Sequence, residues 1–353
     1  MREPDKAKIA INPEQLQSIL IVNLGGIGDF ILSLPALKGL RNAFKDARIV
    51  LLTTPRTAVF AADYTYLNEV LSFDFKLLTA LPLLIELRQR RFDLALNMRS
   101  IVSRASAYKM AGLFYFIRPR YKVGRDTEGR GFFFDLKIPE EAIGDLPEYV
   151  YDLKAVQALG VKAEYSLPEI PISEADISYI DQILALNNVA GDDIIVGVNP
   201  GAPYPAKRWP PENFAKVIDI LNAKFSCKII LTGSRDELEI AERVRRLVKS
   251  EPIIAVGKTS LKQLAALIKR CNVYITNDTG AMHIAAVLKT PLVAIFGPGY
   301  LPRFDPRNIS EKAAVFYRKA PCAPCDRPVC ASMQCLKAVL AEEVAEAAIE
   351  FLK

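Results

Sequence analysis

The sequence predicts an α/β protein of two domains, each a doubly wound parallel sheet with helices on both faces. Three observations favour this class. The 353 residues exceed the roughly 250 to 300 at which a single hydrophobic core stops growing. Short β-branched apolar runs alternate with segments of helical periodicity, which is the order of βαβ units. The same alternation restarts in the second half of the chain.

The first half opens with one clear βαβ unit. The run SILIVNL at 18–24 predicts a strand, the letters GGIGD predict a glycine turn, and the pattern at 30–44 predicts a helix. Further strands are predicted at 48–53 and 94–98. Because parallel sheets need cover on both faces, this alternation favours a sheet buried between helices.

The second half follows a polar, helix-like stretch at 174–188. Its predicted strands and helices alternate at 194–198, 211–225, 228–232, 237–248, 253–256, 261–269, 273–276, 281–288 and 292–296. We place the domains at 1–185 and 186–335, and leave open whether a last helix within 336–353 packs back on the first domain. Because ligands bind at the carboxyl ends of the strands in such sheets, we expect the active site in a cleft between the two domains.

Composition indicates a soluble globular protein. Hydrophobic residues make up 51% of the chain and charged residues 24%. The polar segment 1–17 lacks the apolar core of a secretory signal, and no apolar run is long enough to span a bilayer. We therefore expect a cytoplasmic protein, with any membrane contact made from its surface.

Basic residues are concentrated in one segment, 88–125, which we call the basic segment. It holds ten Lys or Arg and one acid, Asp93, within a chain of formal charge +6. Its interleaved aromatics are Phe92, Tyr108, Phe114, Tyr115, Phe116 and Tyr121. Such a segment suits an anionic partner, whether nucleic acid, a phosphorylated glycolipid or a membrane surface. The alternative is solvated helix faces with buried aromatics. Arg99 and Arg104 are our candidates for contacting a phosphorylated acceptor.

The first candidate site is the glycine turn NLGGIGD at 23–29. Its glycines permit close approach of a ligand to the backbone, and a helix amino end favours anions. The spacing G-G-x-G differs from the G-x-G-x-x-G of dinucleotide enzymes, which disfavours an NAD enzyme. Asp29 opens the helix, where it either caps the helix or removes a proton from an acceptor hydroxyl. Gly26 is a candidate contact for the acceptor.

The second candidate site, NPGAPYPAKRW at 199–209, directly follows a predicted strand. Lys207 and Arg208 lie on its loop near the strand end, where cations suit phosphate oxygens. Gly201 in the same loop is a candidate contact for the donor. The alternative is an ordinary surface loop anchored by Trp209.

The third candidate site, NDTGAMH, lies between a strand and an apolar helix. Asp278 and Thr279 can cap that helix, and the amides from Thr279 and Gly280 onward can bind a phosphate. His283 is the only histidine in the sequence, which excludes a two-histidine metal site. We expect its imidazole to donate a hydrogen bond to a diphosphate; the alternative is a histidine satisfied within the core.

The sequence offers little to hold a metal. It contains no Asp-x-Asp motif that would fix a divalent ion against a sugar diphosphate, so we expect protein groups alone to neutralise the leaving diphosphate, with no cofactor required. Four of the six cysteines cluster near the end, where their spacing allows a structural zinc site that we rank below free thiols or disulfides. They are Cys322, Cys325, Cys330 and Cys335.

Taken in order, these motifs resemble glycosyltransferase family 9, the lipopolysaccharide heptosyltransferases. The resemblance rests on ILIVNLGGIGDFILSLPALKGLRNAF, NPGAPYPAKRWPPENF, LTGSRDELEIAERV, GKTSLKQLAALIKRCNVYITNDTGAMHIAAVLKTPLVAIFGP and the cysteine tail, and is weakest over 55–190. It implies a GT-B fold of two Rossmann-like domains, with ADP-heptose as donor in the C-terminal domain. It further implies an anionic glycolipid acceptor from the inner core of lipopolysaccharide in the N-terminal domain, contact with the cytosolic face of the inner membrane, and no role for nucleic acid.

The resemblance also implies residue roles by motif position. Asp29 matches the proposed general base, Lys207 matches the phosphate-binding lysine, and Asp278 matches the acid that meets the donor sugar hydroxyls. The positions around the donor diphosphate are matched by Thr279, Gly280 and His283. Two departures concern the donor: Gly233-Ser234-Arg235 stands where some members have a glutamate after the glycine, and Ala281-Met282 replaces Leu-Ser.

The implied reaction is a single inverting displacement. Asp29 takes the proton of an acceptor hydroxyl as that hydroxyl attacks the anomeric carbon, and ADP leaves from the opposite face. Lys207 and the helix amino end after Thr279 stabilise the developing charge. Two alternatives stay open: a sugar-nucleotide epimerase of similar two-lobed architecture, and a non-catalytic protein that binds nucleotide sugars or nucleic acid.

Overall fold

The computed structural model describes residues 15–325 and 327–353. The prediction that 1–17 carries no secretory signal therefore falls largely outside the described residues. The chain divides into two compact units, and the division lies between Pro168 and Glu169. No helix among the described residues is both long and apolar enough to cross a bilayer.

The first unit is built on one parallel sheet. Its described strands are β1 (Ser18–Asn23), β2 (Arg48–Thr53), β3 (Glu69–Ser72), β4 (Leu94–Asn97), β5 (Tyr121–Thr127) and β6 (Leu136–Glu140). Its described helices are α1 (Ile27–Ala43), α2 (Pro55–Ala61), α3 (Leu77–Gln89), α4 (Arg104–Ile117) and α5 (Glu148–Gln157). The strand order β3-β2-β1-β4-β5-β6, with all pairs parallel, is that of a Rossmann-type sheet.

The second unit repeats this plan. Its described strands are β7 (Ile194–Asn199), β8 (Cys227–Leu231), β9 (Ile253–Ile254), β10 (Val273–Asn277), β11 (Leu292–Phe296) and β12 (Ala313–Tyr317). Its described helices are α6 (Glu174–Leu186), α7 (Pro211–Lys224), α8 (Leu238–Leu247), α9 (Leu261–Arg270), α10 (Gly280–Val287), α11 (Leu301–Phe304), α12 (Gln334–Lys337) and α13 (Ala341–Leu352). The order β12-β11-β10-β7-β8-β9 is the same winding, and again every pair is parallel.

Both cores lie on the faces of these sheets. Residues 19–22 of β1 and the whole of β11 are fully buried, as expected for strands covered by helices on both sides. In the second unit the single tryptophan, Trp209, is fully buried and packs edge-on against Phe214 with ring centroids 5.0 Å apart. The predicted α/β class, with a doubly wound parallel sheet in each half, is confirmed.

The division between the units precedes the predicted boundary near 185. It leaves α6 in the second unit, where α6 packs against α9 and buries Ile180 and Leu184. The last helix, α13, packs against α7, β10 and β11 and places Val344 and Ala348 in the core of the second unit. An apolar helix face belongs to whichever sheet or helix covers it, and the local sequence does not encode that partner.

The structure also adds elements for which the sequence pattern gave no prediction. These are α2, β3, α3, α4, β5, β6, α5, α11, β12 and α12. In addition α1 begins at Ile27, three residues before the predicted start at 30. Both differences matter for function, because Asp29 then lies within the first turn of α1 and because α4 lies within the basic segment.

Candidate active site

Both sheets end in buried asparagines at the point where the strand order reverses. In the first unit this switch point lies between β1 and β4, which end at Asn23 and Asn97. In the second unit it lies between β7 and β10, which end at Asn199 and Asn277. All four side chains are buried. Since doubly wound sheets bind ligands at the switch point, the loops after these strands are the candidate sites.

The turns after β1 and β7 are built alike. The Oδ1 atom of Asn23 accepts a hydrogen bond from the N–H of Gly25 at 3.2 Å, and Oδ1 of Asn199 accepts one from Gly201 at 3.2 Å. A Cβ at Gly25 would lie 2.2 Å from a guanidinium nitrogen, and one at Gly201 would lie 2.4 Å from a carboxyl carbon. Both turns therefore need glycine so that a charged side chain can approach the backbone.

Asp29 faces its own helix start and a neighbouring cation. Its Oδ2 accepts a hydrogen bond from the N–H of Gly26, the N-cap of α1, at 2.9 Å. The same oxygen forms an ion pair with Nη1 of Arg99 at 2.9 Å. The helix-capping alternative for Asp29 is thus present, together with a contact to a cation. With side chains 13% and 27% exposed, Asp29 and Arg99 are both accessible from solvent.

Hydrogen bonds to two neighbouring strands hold the loop that carries Arg99. The hydroxyl of Ser100 donates to Oε1 of Glu140 at 2.6 Å, and the N–H of Ile101 donates to Oγ1 of Thr127 at 3.0 Å. Because these partners lie on β5 and β6 while the loop leaves β4, the position of Arg99 depends on the register of all three strands.

A buried charge cluster lies below this loop. Arg125 is fully buried and pairs with Glu148 at 2.9 Å and with Asp152, while its Nη1 donates to the hydroxyl of Ser100 at 3.1 Å. Two carboxylates thus share one guanidinium. Burial, which the charge of Arg125 only partly offsets, raises the pKa of Asp152 to about 8, with the charges of Glu148 and Asp29 acting in the same direction. A pKa raised in this direction favours the protonated form of Asp152 within the cluster.

In the second unit a lysine and an aspartate meet at a helix start. Lys207 ends a short 3-10 turn at Pro205–Lys207, and its Nζ lies 2.9 Å from Oδ2 of Asp278. Asp278 directly precedes Thr279, the N-cap of α10. A Cβ at Gly299 would lie 2.6 Å from that carboxylate oxygen, so the glycine after β11 leaves room beside the pair. The structure thus brings together the predicted cation and the predicted helix amino end.

Asn277 holds both ends of the Lys207 loop. Its Nδ2 donates to the carbonyls of Pro200 and Gly201, each at 3.0 Å, and its Oδ1 accepts from the N–H of Trp209 at 3.0 Å. The anchoring role considered for Trp209 is therefore present, and the loop that it anchors carries the candidate cation.

The first turn of α10 carries three predicted residues. Thr279 is the N-cap in extended backbone, and Gly280 is the first helical residue, so the first amides of this helix lack intrahelical partners. His283 is 3% exposed, and its ring packs edge-on against Phe304 with centroids 6.0 Å apart. Burial is common to both alternatives for His283, so its contact with a diphosphate stays a prediction.

Sequence reasoning missed a glutamate in the 3-10 turn Arg235–Glu237 that follows β8. Glu237 is 7% exposed, and its carboxylate accepts hydrogen bonds from the N–H and hydroxyl of Ser234 at 2.6 and 2.8 Å. The same carboxylate lies against Gly201 and Gly233, so an acid does occupy the turn where the sequence departs from some family members. The S-x-x-E pattern of a capping box was the available signal.

A buried arginine was also missed. Arg303 on α11 is 4% exposed, and its guanidinium carbon lies 4.8 Å from the centre of the Phe304 ring. It follows β11 at the same sheet edge as Asp278. The local sequence YLPRFDP gives no sign that this arginine is buried.

The basic segment does not form one continuous cationic surface. Arg125 is buried, Arg90 pairs with Glu69, and Lys122 pairs with Asp135 at 2.9 Å. Its aromatics are also divided, since Phe92 and Phe114 are buried whereas Tyr108 and Tyr115 are exposed. Buried aromatics, as in the second alternative, are present in part, and the anionic partner stays a prediction. Arg104 is exposed and is the first residue of α4, directly after the loop that carries Arg99.

The clustered cysteines have different environments. Cys322 is exposed, Cys325 and Cys330 are half-buried, and Cys335 lies in the core of the second unit, where burial raises the pKa of its thiol. Within 15–325 and 327–353, no three His, Cys, Asp or Glu side chains are grouped so that they could hold a metal ion. None of these four cysteines forms a disulfide within the described residues.

Two Rossmann-type units with charged sites at their switch points are the architecture of GT-B glycosyltransferases. The model of one such family, described as glycosyltransferase family 9 (heptosyltransferase), matches residues 81–336. The chain belongs to glycosyltransferase family 9. It is therefore an enzyme that transfers a sugar, as the motif resemblance implied.

Individual relatives agree with this assignment over nearly the whole chain. Lipooligosaccharide heptosyltransferase 2 of Campylobacter jejuni is 28% identical over 341 residues, which cover 93% of this chain and 96% of the relative. A crystal structure of a family 9 glycosyl transferase from Veillonella parvula has a TM-score of 0.76 at 24% identity, covering 95% of this chain and 97% of its own. The structure of E. coli ADP-heptose lps heptosyltransferase II has a TM-score of 0.73 at 22% identity, covering 95% and 98%. These two structures confirm the fold.

Gly25→Ala tests the close approach at the first switch point. The added Cβ would lie 2.2 Å from Nη1 of Arg99 and 2.7 Å from Cβ of Asp29, so the ion pair must move. We expect about a hundredfold loss of transferase turnover, the usual order of effect for a catalytic group displaced by 1 Å. Gly112→Ala in α4 is the matched control, since nothing lies within 4 Å of its Cβ position. Equal turnover of the two variants would contradict the prediction.

Asp152→Asn tests the buried charge cluster. An Asp in an unfolded chain has a pKa of about 3.9. Between about pH 4 and 8 the folded chain therefore binds more protons than the unfolded chain. The free energy of unfolding should therefore fall as pH rises through this window, by at most about 1.4 kcal/mol per unit. In Asp152→Asn the free energy of unfolding, measured by urea titration with circular dichroism, should depend less on pH. Fluorescence of Trp209 reports the second unit and should be unaffected; an unchanged slope in the first unit would exclude a retained proton on Asp152.

Proposed function

We propose that this enzyme transfers heptose from ADP-heptose to a sugar of the inner core of lipopolysaccharide. The observation that carries the proposal is the Lys207–Asp278 ion pair at the amino end of α10, in a chain of family 9. The names of a relative over nearly the full chain and of a structure with the same fold, both given above, support heptose as the sugar and ADP-heptose as the donor. Release of ADP from a panel of nucleotide sugars, with and without truncated lipopolysaccharide, tests this directly.

The donor diphosphate is assigned to the second unit. There the ammonium of Lys207 and the amides that follow Thr279 offer positive charge at one place, and the carboxylate of Asp278 orients the ammonium. His283 and Gly201 complete the predicted donor contacts. As the bond from the anomeric carbon to the diphosphate oxygen breaks, the electron pair goes to ADP, and these donors stabilise that charge without a metal ion.

The acceptor is assigned to the first unit. Its hydroxyl oxygen forms the new bond to the anomeric carbon, and its proton passes to the carboxylate of Asp29, which gives inversion in a single displacement. The contact with Arg99 fixes the direction of that carboxylate. Gly26, Arg99 and Arg104 are the proposed acceptor contacts, with the two arginines facing acidic groups of an anionic glycolipid. The enzyme would then work in the cytoplasm, peripherally at the inner membrane.

Asp29→Asn tests the proposed base. The amide can still accept a hydrogen bond from the N–H of Gly26 and so keep the helix start, but it cannot take a proton. We expect turnover to fall by about 10²- to 10⁴-fold with little change in ADP affinity. Asp46→Asn, at an exposed turn after α1, is the control and should retain turnover. Near-normal turnover of Asp29→Asn would remove Asp29 from this role.

Lys207→Met tests the phosphate site. Loss of one charged hydrogen bond, worth about 1.5 to 3 kcal/mol, should weaken ADP binding by about 10- to 100-fold in calorimetry. Lys224→Met at the exposed end of α7 is the matched control. Because Asp278 is only 6% exposed, the Tm of each variant must be measured beside its Kd. A folded Lys207→Met protein with unchanged ADP affinity would disprove the assignment.

A further inference from the structure

The first unit exposes an apolar surface that folding does not explain. Helix α3 buries Ala80 and Leu87, yet its opposite side is also apolar, with Leu78 91% exposed, Leu81 48% and Ile85 44%. These three positions follow helical spacing and form one stripe. A soluble protein gains nothing in stability from such a stripe, and exposed apolar patches of this kind mark interaction sites.

The stripe continues beyond α3. Phe75, directly before the helix, is 65% exposed, and the neighbouring helix α4 exposes Tyr108 and Tyr115, with Phe132 beside Tyr108 at a ring distance of 5.8 Å. We call this surface the α3–α4 face. Its members are Phe75, Leu78, Leu81, Ile85, Tyr108, Tyr115 and Phe132.

Phe75 is held outward against a backbone preference. Its φ of 61° is in the left-handed region, which bulky residues rarely adopt. The carboxylate of Asp74 accepts hydrogen bonds from the N–H of Lys76, at 3.1 Å, and from the hydroxyl of Thr79, and so fixes the turn. Ring contact with Phe73, at 4.8 Å between centroids, orders the exposed ring. Strain that is kept at an exposed aromatic points to a use for that aromatic.

Lysines border the face, and the neighbouring acid Asp74 is bound within its own turn to the N–H of Lys76 and the hydroxyl of Thr79. Helix α4 contains no acid, and the one acid of α3, Glu86, pairs with Arg90. Lys76 lies next to Phe75, and Lys109 lies next to Tyr108, and both are exposed. A face of apolar and tyrosine side chains with lysines at its border matches the interfacial region of a bilayer that carries anionic headgroups.

The face also lies at a useful place for the acceptor. Carboxyl ends of parallel strands share one edge of the sheet, so Phe75 after β3, Tyr108 after β4 and Phe132 after β5 lie toward the same edge as Asp29 after β1. A second copy of the chain fits less well, because a two-fold contact through this face would set lysines against lysines.

We propose that the α3–α4 face binds the surface of a membrane that contains anionic phospholipid. The inference rests on the proposed function only in supposing that the acceptor sugar is presented at that surface. Phe75, Leu78 and Leu81 enter the headgroup boundary, Tyr108 and Tyr115 lie at the polar interface, and Lys76 and Lys109 meet lipid phosphates. Asp29 then faces the layer from which the acceptor sugar projects.

Co-sedimentation of the full chain with vesicles tests the proposal. Vesicles of phosphatidylglycerol and phosphatidylcholine should bind the wild-type protein, and vesicles of phosphatidylcholine alone should bind it weakly. Phe75→Asp with Leu78→Asp should lower the affinity for anionic vesicles at least tenfold. Lys76→Gln with Lys109→Gln should lower it about fivefold per lysine at low salt and less at high salt. Leu186→Asp, which alters a leucine 83% exposed in the second unit, is the matched control and should bind like wild type.

Two further measurements separate this proposal from the proposed function. Each variant should keep its Tm, its ADP affinity and its turnover with a lipid-free acceptor, because none of these residues is placed in the donor or acceptor sites. Loss of turnover on every acceptor with intact vesicle binding would count against heptose transfer and leave the face standing. The proposal is overturned if wild type does not bind anionic vesicles, if Phe75→Asp with Leu78→Asp binds them normally, or if that pair changes only the oligomeric state in sedimentation velocity.

Discussion

Both sites depend on one constraint: the backbone groups at the ends of the parallel strands need hydrogen-bond partners. Helices cover both faces of each sheet, so the amide and carbonyl groups of the loops after the central strands are shielded from water and need partners within the protein. Asn23, Asn97, Asn199 and Asn277 supply them at the two switch points. The same side chains shape the turns of Gly25 and Gly201 and fix both ends of the Lys207 loop. The hydrogen bonds that position the sites are thus ones that the fold itself requires, and they fix the geometry of the sites.

On this common frame the two units pair an acid with a cation for opposite purposes. In the first unit the guanidinium of Arg99 orients the carboxylate of Asp29, and the loop of Arg99 is itself tied to β5 and β6. In the second unit the carboxylate of Asp278 orients the ammonium of Lys207 toward the start of α10. The positive charges of the lysine and of the helix amino end then lie at one place, which suits a leaving diphosphate. The first unit instead offers a carboxylate held in one direction.

Much of this could be predicted from the sequence, for physical reasons that also set the limit. Strands covered on both faces read as short apolar runs, which made β1, β2, β4 and β7 visible. Helix α3 was not predicted, because LLTALPLLIELRQ is apolar on all sides and has no helical periodicity. Motif spacing located Asp29, Lys207 and Asp278, but no local pattern encodes pairs that join residues 70 and 71 positions apart. Composition likewise could not tell that Arg125, within the basic segment, is buried.

The first unit departs from ordinary burial in two opposite ways. Arg125 and its carboxylates are inside, although a buried ion pair is rarely more stabilising than an apolar replacement. Leu78 and Leu81 of α3 are exposed, although their exposure adds nothing to folding and invites aggregation. Local conflicts with folding rules are expected where function demands them. Arg125 donates a hydrogen bond to Ser100 and thereby stabilises the loop of Arg99. The α3–α4 face lies toward the same edge of the sheet. On the proposed function, the first unit carries both the acid proposed as base and the face proposed to bind a membrane, while the second unit carries the proposed diphosphate site.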